Sequence, residues 1–235
     1  MSDGYIQMKI LIVFFSRTGF TEKLVHEVRD SLERRGHIVT LEKLYSLNEK
    51  SCIGEICKDV HHYPFIFFSL FSSAFRRYYL RSYVQVEDDI SPLKYPDISE
   101  FDCICIAGPK WSQVSYPVAR YLRIVEGIEG KSIGCIYTFG GPPFPVFELE
   151  MFDESMKRIV QARDASIITR IGVSSAYHEL GIAPLFRILS RIRLCKPITS
   201  FTLGSDYSNA QIGRFCDTIT KEKEKKNDYN NQTAN

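Results

Sequence analysis

Residues 16 to 21 read Ser-Arg-Thr-Gly-Phe-Thr: three hydroxyls, one glycine, one arginine and one aromatic ring in six positions. The hydroxyls of Ser16, Thr18 and Thr21 can each bond an anionic oxygen, and Gly19 lets neighbouring backbone N–H groups converge on the same point. A helix opening directly behind such a loop turns its positive end toward it. This is chemistry for holding a phosphate dianion, with Arg17 and Phe20 at its border. It is not a nucleoside triphosphate loop, because no lysine follows the glycine, and the G-x-G-x-x-G of dinucleotide sites is absent. Gly130-Lys131-Ser132 imitates part of a P-loop but precedes a predicted strand and lacks the earlier glycine.

Other chemistries find little support. His61-His62 and His178-Glu179 are not at metal-ligand spacing, there is no H-E-x-x-H, and no G-x-S-x-G elbow precedes a helix. No metal, covalent nucleophile or catalytic residue is assigned. Tyr177 and His178, after the fifth predicted strand, are candidate proton donors, with placement on the surface the simpler reading. Seven cysteines without a C-x-x-C pair, two of them (Cys103 and Cys105) in an apolar run, fit reduced structural thiols in a cytoplasm. Met1 to Lys9 carries no signal-peptide pattern, and no segment approaches the roughly 20 apolar residues of a membrane span. Asn231-Gln232-Thr233 therefore matches the glycosylation pattern by coincidence.

The elements that must position the loop follow from periodicity. Lys9 to Phe15 (KILIVFF) is a continuous, partly β-branched apolar run, as expected of a strand buried on both faces of a parallel sheet. Thr21 to Arg35 places Leu24, Val25, Val28 and Leu32 at helical spacing, Gly36 stops it, and His37 to Leu44 reads as the second strand. The scheme repeats with strands at Phe101 to Ala107, Ser132 to Thr138 and Ser166 to Val173, and helices at Val114 to Val125 and about Phe147 to Arg163. A last helix spans about Asn209 to Lys223, and the charged, Asn-rich tail from 225 to 235 is expected to be disordered. Alternating strands and helices predict a doubly wound α/β sheet, whose ligands bind beyond the carboxyl ends of the strands where the winding reverses. One domain, residues 1–224, should contain all of this. Five such units need only about 150 residues, so the surplus falls in insertions at about 51–96 and 176–202.

In these loops the chain resembles the flavodoxin family. Ser16, Thr18, Gly19 and Thr21 match its S-x-T-G-x-T phosphate loop. Phe101-Asp102 through Gly108-Pro109-Lys110-Trp111 is similar to its third strand and glycine-proline-aromatic loop, and Tyr137-Thr138-Phe139-Gly140-Gly141 to its fourth strand and second flavin loop. The resemblance implies a flavodoxin-like five-stranded parallel sheet of order 2-1-3-4-5 with helices on both faces, and non-covalent FMN. It further implies that Ser16 to Thr21 hold the phosphate and that Pro109, Lys110, Trp111, Ser112, Thr138, Phe139, Gly140 and Gly141 border the ring. Trp111, the only tryptophan, is placed to stack on one face, and Phe139, Phe144 and the Gly140-Gly141 backbone are candidates for the other face and the edge. Lys110 is either a partner for negative charge on the ring or a solvated loop lysine.

Charge and the insertions qualify the resemblance. Lys and Arg number 30 against 28 Asp and Glu, a formal charge of +2, whereas classical flavodoxins are acidic carriers that dock on basic partners. So near-neutral a total also argues against nucleic acid. Tyr63 to Tyr83 holds nine aromatics, Tyr63, Phe65, Phe67, Phe68, Phe71, Phe75, Tyr78, Tyr79 and Tyr83, interleaved with or followed by Arg76, Arg77 and Arg81. It could be extra core, a lid, a homodimer contact or an interfacial anchor. The second insertion is a basic amphipathic helix, with Leu185, Phe186, Ile188, Leu189, Ile192 and Leu194 beside Arg187, Arg191, Arg193 and Lys196. It packs on its own domain or meets anionic lipid or an acidic redox partner. The sequence therefore predicts a cytoplasmic FMN-binding redox protein, possible peripheral membrane contact included. It would be either a reductase passing electrons from a nicotinamide or protein donor to a small acceptor such as a quinone, or an electron carrier docking on a protein or membrane-associated partner.

Overall fold

A computed structural model describes residues 7–48, 68, 72–82, 85–110, 114–144, 151–176 and 183–233. Its strands are β1 (Lys9–Phe14), β2 (Ile38–Lys43), β3 (Cys103–Pro109), β4 (Ser132–Phe139) and β5 (Ser166–Ser174). The helices are α1 (Phe20–Glu33), α2 (Ser73–Ser82), α3 (Tyr116–Ile124), α4 (Met151–Gln161), α5 (Ala183–Leu194) and α6 (Asp206–Thr233), with a 3-10 turn at Ile198–Phe201. The strands form one all-parallel sheet in the order β2-β1-β3-β4-β5. The expected order is observed.

The apolar run in β1 is central because both its faces are covered. Ile10, Ile12 and Phe14 join a cluster with Leu24, Val25, Val28 and Leu32 of α1 and Phe215, Cys216 and Ile219 of α6. Leu11 and Val13 point the other way, into a cluster with Val118, Tyr121 and Leu122 of α3 and Met156 and Val160 of α4. Each fully buried Ile or Leu contributes roughly 1.5–3 kcal/mol, and it is the two-residue period of β1 that divides them between the faces. Winding thus reverses between β1 and β3, which are neighbours in the sheet but lead to helices on opposite faces.

Both insertions leave and rejoin at the carboxyl edge of the sheet. The first departs beyond β2 and returns at Ile90, which bridges to Ser46, with further bonds from Leu47 N–H to Asp89 O and from Ser91 N–H to Tyr45 O. The second departs after β5 and returns at Thr202, which bridges to Ser174. Within α2, Tyr79 and Leu80 are buried while Tyr78 is exposed, as is Phe68 ahead of the helix, so the part of the aromatic segment that is described is both core and surface. Its residues 63–67, 69–71 and 83 lie outside the described residues.

Several boundaries differ from expectation. The third strand runs two residues further, through Gly108 and Pro109, because Ala107, Gly108 and Pro109 keep their register against Ile136, Tyr137 and Thr138. The largest difference is at the carboxyl end. There α6 continues to Thr233 where a disordered tail is expected from residue 225. Lys221 to Lys226 is a run of straight-chain residues, which lose little rotamer freedom in a helix and favour its propagation. Cys103, Cys105, Cys135 and Cys216 are free and buried, as structural thiols, and Cys195 is free and exposed.

Candidate functional site

The loop after β1 turns into α1 at Gly19, whose φ of 81° lies in the left-handed region that a side chain would disfavour. No atom would obstruct a Cβ there, so it is the backbone conformation and not crowding that calls for glycine. The turn closes through Lys23 N–H to Gly19 O at 3.0 Å. Ser16 Oγ accepts the Glu22 N–H at 3.2 Å and so supplies one cap from outside the helix. The N–H groups of Thr18, Gly19 and Phe20 have no partner among the described residues, and the Thr18 side chain is exposed. Three unspent donors at the positive end of a helix, with a hydroxyl beside them, are a receptor for an anion.

The electrostatics agree. Glu22, the one acid in the first turn of α1, would repel an anion, but its carboxylate is paired with Lys43 Nζ at 2.8 Å, drawing its charge toward β2. The cradle is left without a competing acid from its own helix.

The two further loops named from the sequence meet the first one. Thr21, 3% exposed, has its hydroxyl within 2.8 Å of the Thr138 hydroxyl at the end of β4, a buried tie between the first and third loops. Lys110 N–H donates to Thr138 O at 2.7 Å, joining the second loop to the same residue. Thr21 and Thr138 thus spend their hydroxyls on each other and hold the loops in place, while Thr18 keeps its hydroxyl at the surface. Pro109, Lys110, Gly140 and Phe144 are half-buried along this edge, and Gly141 is buried. Arg17 and Phe20 are half-buried beside the cradle.

Phe139 is placed differently from its expected role beside a ring. It is 2% exposed and turned into the α3/α4 core, its ring centroid 6.3 Å from that of Tyr137. Both rings lie over Gly172, where a Cβ would come within 2.7 Å of each. An alternating strand sends neighbours to opposite faces, so Thr138 can turn to α1 only if Phe139 turns away. Trp111 and Ser112, and also Tyr177 and His178, lie outside the described residues.

Two residues not singled out from the sequence support the third loop. Ser175 donates its N–H to Phe139 O at 2.7 Å, and the Ser174 hydroxyl lies 3.4 Å from Gly140 O while accepting the Ala176 N–H at 3.1 Å. Paired serines at the end of a predicted strand were the available signal, but nothing in their type says which backbone they will meet. Behind this loop, Tyr137 O–H donates to Asp153, which is ion-paired with Arg170 at 2.5 Å. Burial pushes the Asp153 carboxyl above its usual range, with Arg170 and Lys157 pulling the other way, and burial also raises the Tyr137 phenol. This group braces β4, β5 and α4 away from the cradle.

A parallel sheet of order 2-1-3-4-5 with helices on both faces and a phosphate-type loop at the switch point makes the fold flavodoxin-like. No protein-family model and no curated protein matches the sequence. Solved structures similar to it include a flavoprotein in complex with FMN from Lactobacillus acidophilus at 13% identity (70% of this chain, 93% of that one, TM-score 0.44). A flavodoxin of Streptococcus pneumoniae is similar at 12% identity (91% and 99%, TM-score 0.46). A two-electron reduced flavodoxin of Megasphaera elsdenii is similar at 13% identity (74% and 92%, TM-score 0.40).

Proposed function

We propose that the chain binds FMN non-covalently and acts as a flavin-dependent reductase, taking electrons from a reduced nicotinamide or a protein donor and delivering them to a small acceptor such as a quinone. The observation that carries the reading is the set of unspent N–H donors at Thr18, Gly19 and Phe20, at the carboxyl end of the central strand where the winding reverses. A bound flavin would supply one- and two-electron transfer, which no side chain at this edge offers. The chain's own part is to bind and orient. The three N–H groups and the Thr18 hydroxyl hold the phosphate, and the Thr21–Thr138 tie fixes the third loop beside it. The backbone of Gly140 and Gly141, with Pro109, Lys110 and Phe144, borders the ring. Trp111 for a ring face, and Ser112 next to it, complete the proposed set, and a positive Lys110 near the ring would favour negative charge there.

The test is the visible absorbance of the purified chain and its titration with FMN. Stoichiometric flavin is expected, and Thr18→Ala should weaken it by about 1–2 kcal/mol, one charge-assisted bond, without lowering the melting temperature. A chain that takes up no FMN ends the reading. Steady turnover with a nicotinamide and a soluble quinone is expected of a reductase, whereas bound flavin without turnover would leave the electron carrier.

A further inference from the structure

The helix α5 keeps Phe186, Leu189 and Leu194 half-buried and turns two further apolar residues outward. Ser190, at 0% exposure, faces the domain and donates its hydroxyl to Lys196 O at 2.7 Å, closing the helix end. On the opposite side Ile188 and Ile192, one turn apart, are 57% and 68% exposed. At about 100° per residue, Arg187 and Arg191 fall on one flank of this ridge and Arg193 on the other, and all three are exposed, as is Lys196. No acidic residue occurs between Glu179 and Asp206. A helix held only by its own domain would show a polar outer face, since each isoleucine left in water forgoes burial that the core could have supplied.

We infer that α5 is a docking element for an anionic lipid surface, with Ile188 and Ile192 entering the headgroup–acyl boundary and Arg187, Arg191, Arg193 and Lys196 meeting lipid phosphates. The ridge is narrow and convex, bears cations on both flanks, and belongs to a segment without a single acid. That pattern complements a negatively charged plane and needs no shaped pocket opposite it. Arginine stems can lie along the apolar boundary while their heads stay hydrated. Since the segment leaves and rejoins the sheet at the carboxyl end of β5, the edge carrying the phosphate-type loop is the edge brought to the membrane. The other insertion leaves from that same edge and carries exposed Phe68 and Tyr78. The inference does not depend on flavin. No described helix is long and apolar enough to cross a membrane, so the contact is peripheral.

Flotation of the full-length chain with phosphatidylcholine vesicles, with and without about one third phosphatidylglycerol, at roughly 0.1 M and 0.5 M salt tests this. Binding is expected to the anionic vesicles at low salt, and at least about ten-fold less on raising the salt or omitting the anionic lipid. Ile188→Ser and Ile192→Ser should each cost roughly ten-fold in vesicle affinity, and Arg191→Gln about five-fold, with unchanged melting temperature. Flavin content, measured on the same samples, should not change, so failure here and failure of the FMN reading are separable. A wild-type chain that does not float overturns the inference. So does binding lost with the arginines but indifferent to the isoleucines, which is bare electrostatic adhesion and would suit an acidic protein instead. A dimer in solution that Ile192→Ser dissociates, without vesicle binding, would assign the ridge to a second copy.

Discussion

The helices α1 and α5 are built from similar ingredients and bury them differently. In α1, Leu24, Val25, Val28 and Leu32 are at 0% exposure and the charges face water, whereas α5 buries a serine and shows two isoleucines. Both sequences declare a two-faced helix. Which face turns inward is decided by what the neighbours offer. The α1 ridge meets the alternate residues of β1 and the α6 face, while α5 packs chiefly on the short turn at Ile198–Phe201 and keeps Phe186, Leu189 and Leu194 only half-buried.

The largest effect that tests this contrast is on stability. Leu24→Ala removes a fully buried side chain from between α1 and the sheet and should cost about 2–4 kcal/mol. Ile192→Ala removes a comparable side chain from the outside of α5 and should stay within about 0.5 kcal/mol of the parent. Thermal or urea unfolding of the two variants measures the difference directly. Equal losses would mean that the chain itself covers the outer face of α5, and the contrast would disappear.

A smaller effect asks whether the inner side of α1 also organises the site. Thr21→Val or Thr138→Val leaves one buried hydroxyl without its partner and should cost about 1–2 kcal/mol, while the double replacement should recover about 1 kcal/mol of the summed loss. Flavin affinity should follow the same cycle, because the two residues join the first and third loops. Additive single losses would show that the tie is incidental.

The strands and their order were legible because parallel strands buried on both faces read as uninterrupted apolar runs, and KILIVFF and the run at Cys103 to Ala107 can hardly be anything else. The phosphate-type loop was legible because hydroxyls, glycine and a helix start occupy six consecutive positions. Contacts between distant positions were not. Ser16, Thr18 and Thr21 look equivalent as types, yet one caps α1, one stays at the surface and one turns inward to Thr138, 117 residues away. Phe139 looked like a ring neighbour because aromatics suit such sites, but strand alternation sends it to the core. The ridge on α5 was visible as a pattern, and its outward orientation was not, since burial is a property of the assembled edge.

The smallest expected effect concerns a piece of the first insertion that is fastened from within, in contrast to α5. Glu42 on β2 is 4% exposed, and its carboxylate accepts the N–H groups of Lys94 at 2.7 Å and Tyr95 at 3.3 Å, pinning the chain as it returns toward β3. Burial lifts its pKa above the ordinary 4.5, while the two backbone bonds and the Lys94 charge pull it down without cancelling the rise. A carboxyl with a raised folded-state pKa keeps its proton longer in the native protein than in the unfolded chain. Its contribution to stability is therefore full below 4.5 and is lost as pH rises through the higher folded value. Glu42→Gln retains an acceptor oxygen for the same N–H groups and has no proton to lose. Melting curves of parent and variant taken from below that window to neutrality should show the parent losing ground to the variant as pH rises, and then a constant offset. A difference independent of pH would mean that the carboxylate is at ease in its charged form, held by the Lys94 and Tyr95 N–H groups as firmly as water would hold it. The return limb would then be anchored by charge rather than by burial, and its separation from the outward-facing α5 would rest on hydrogen bonding alone.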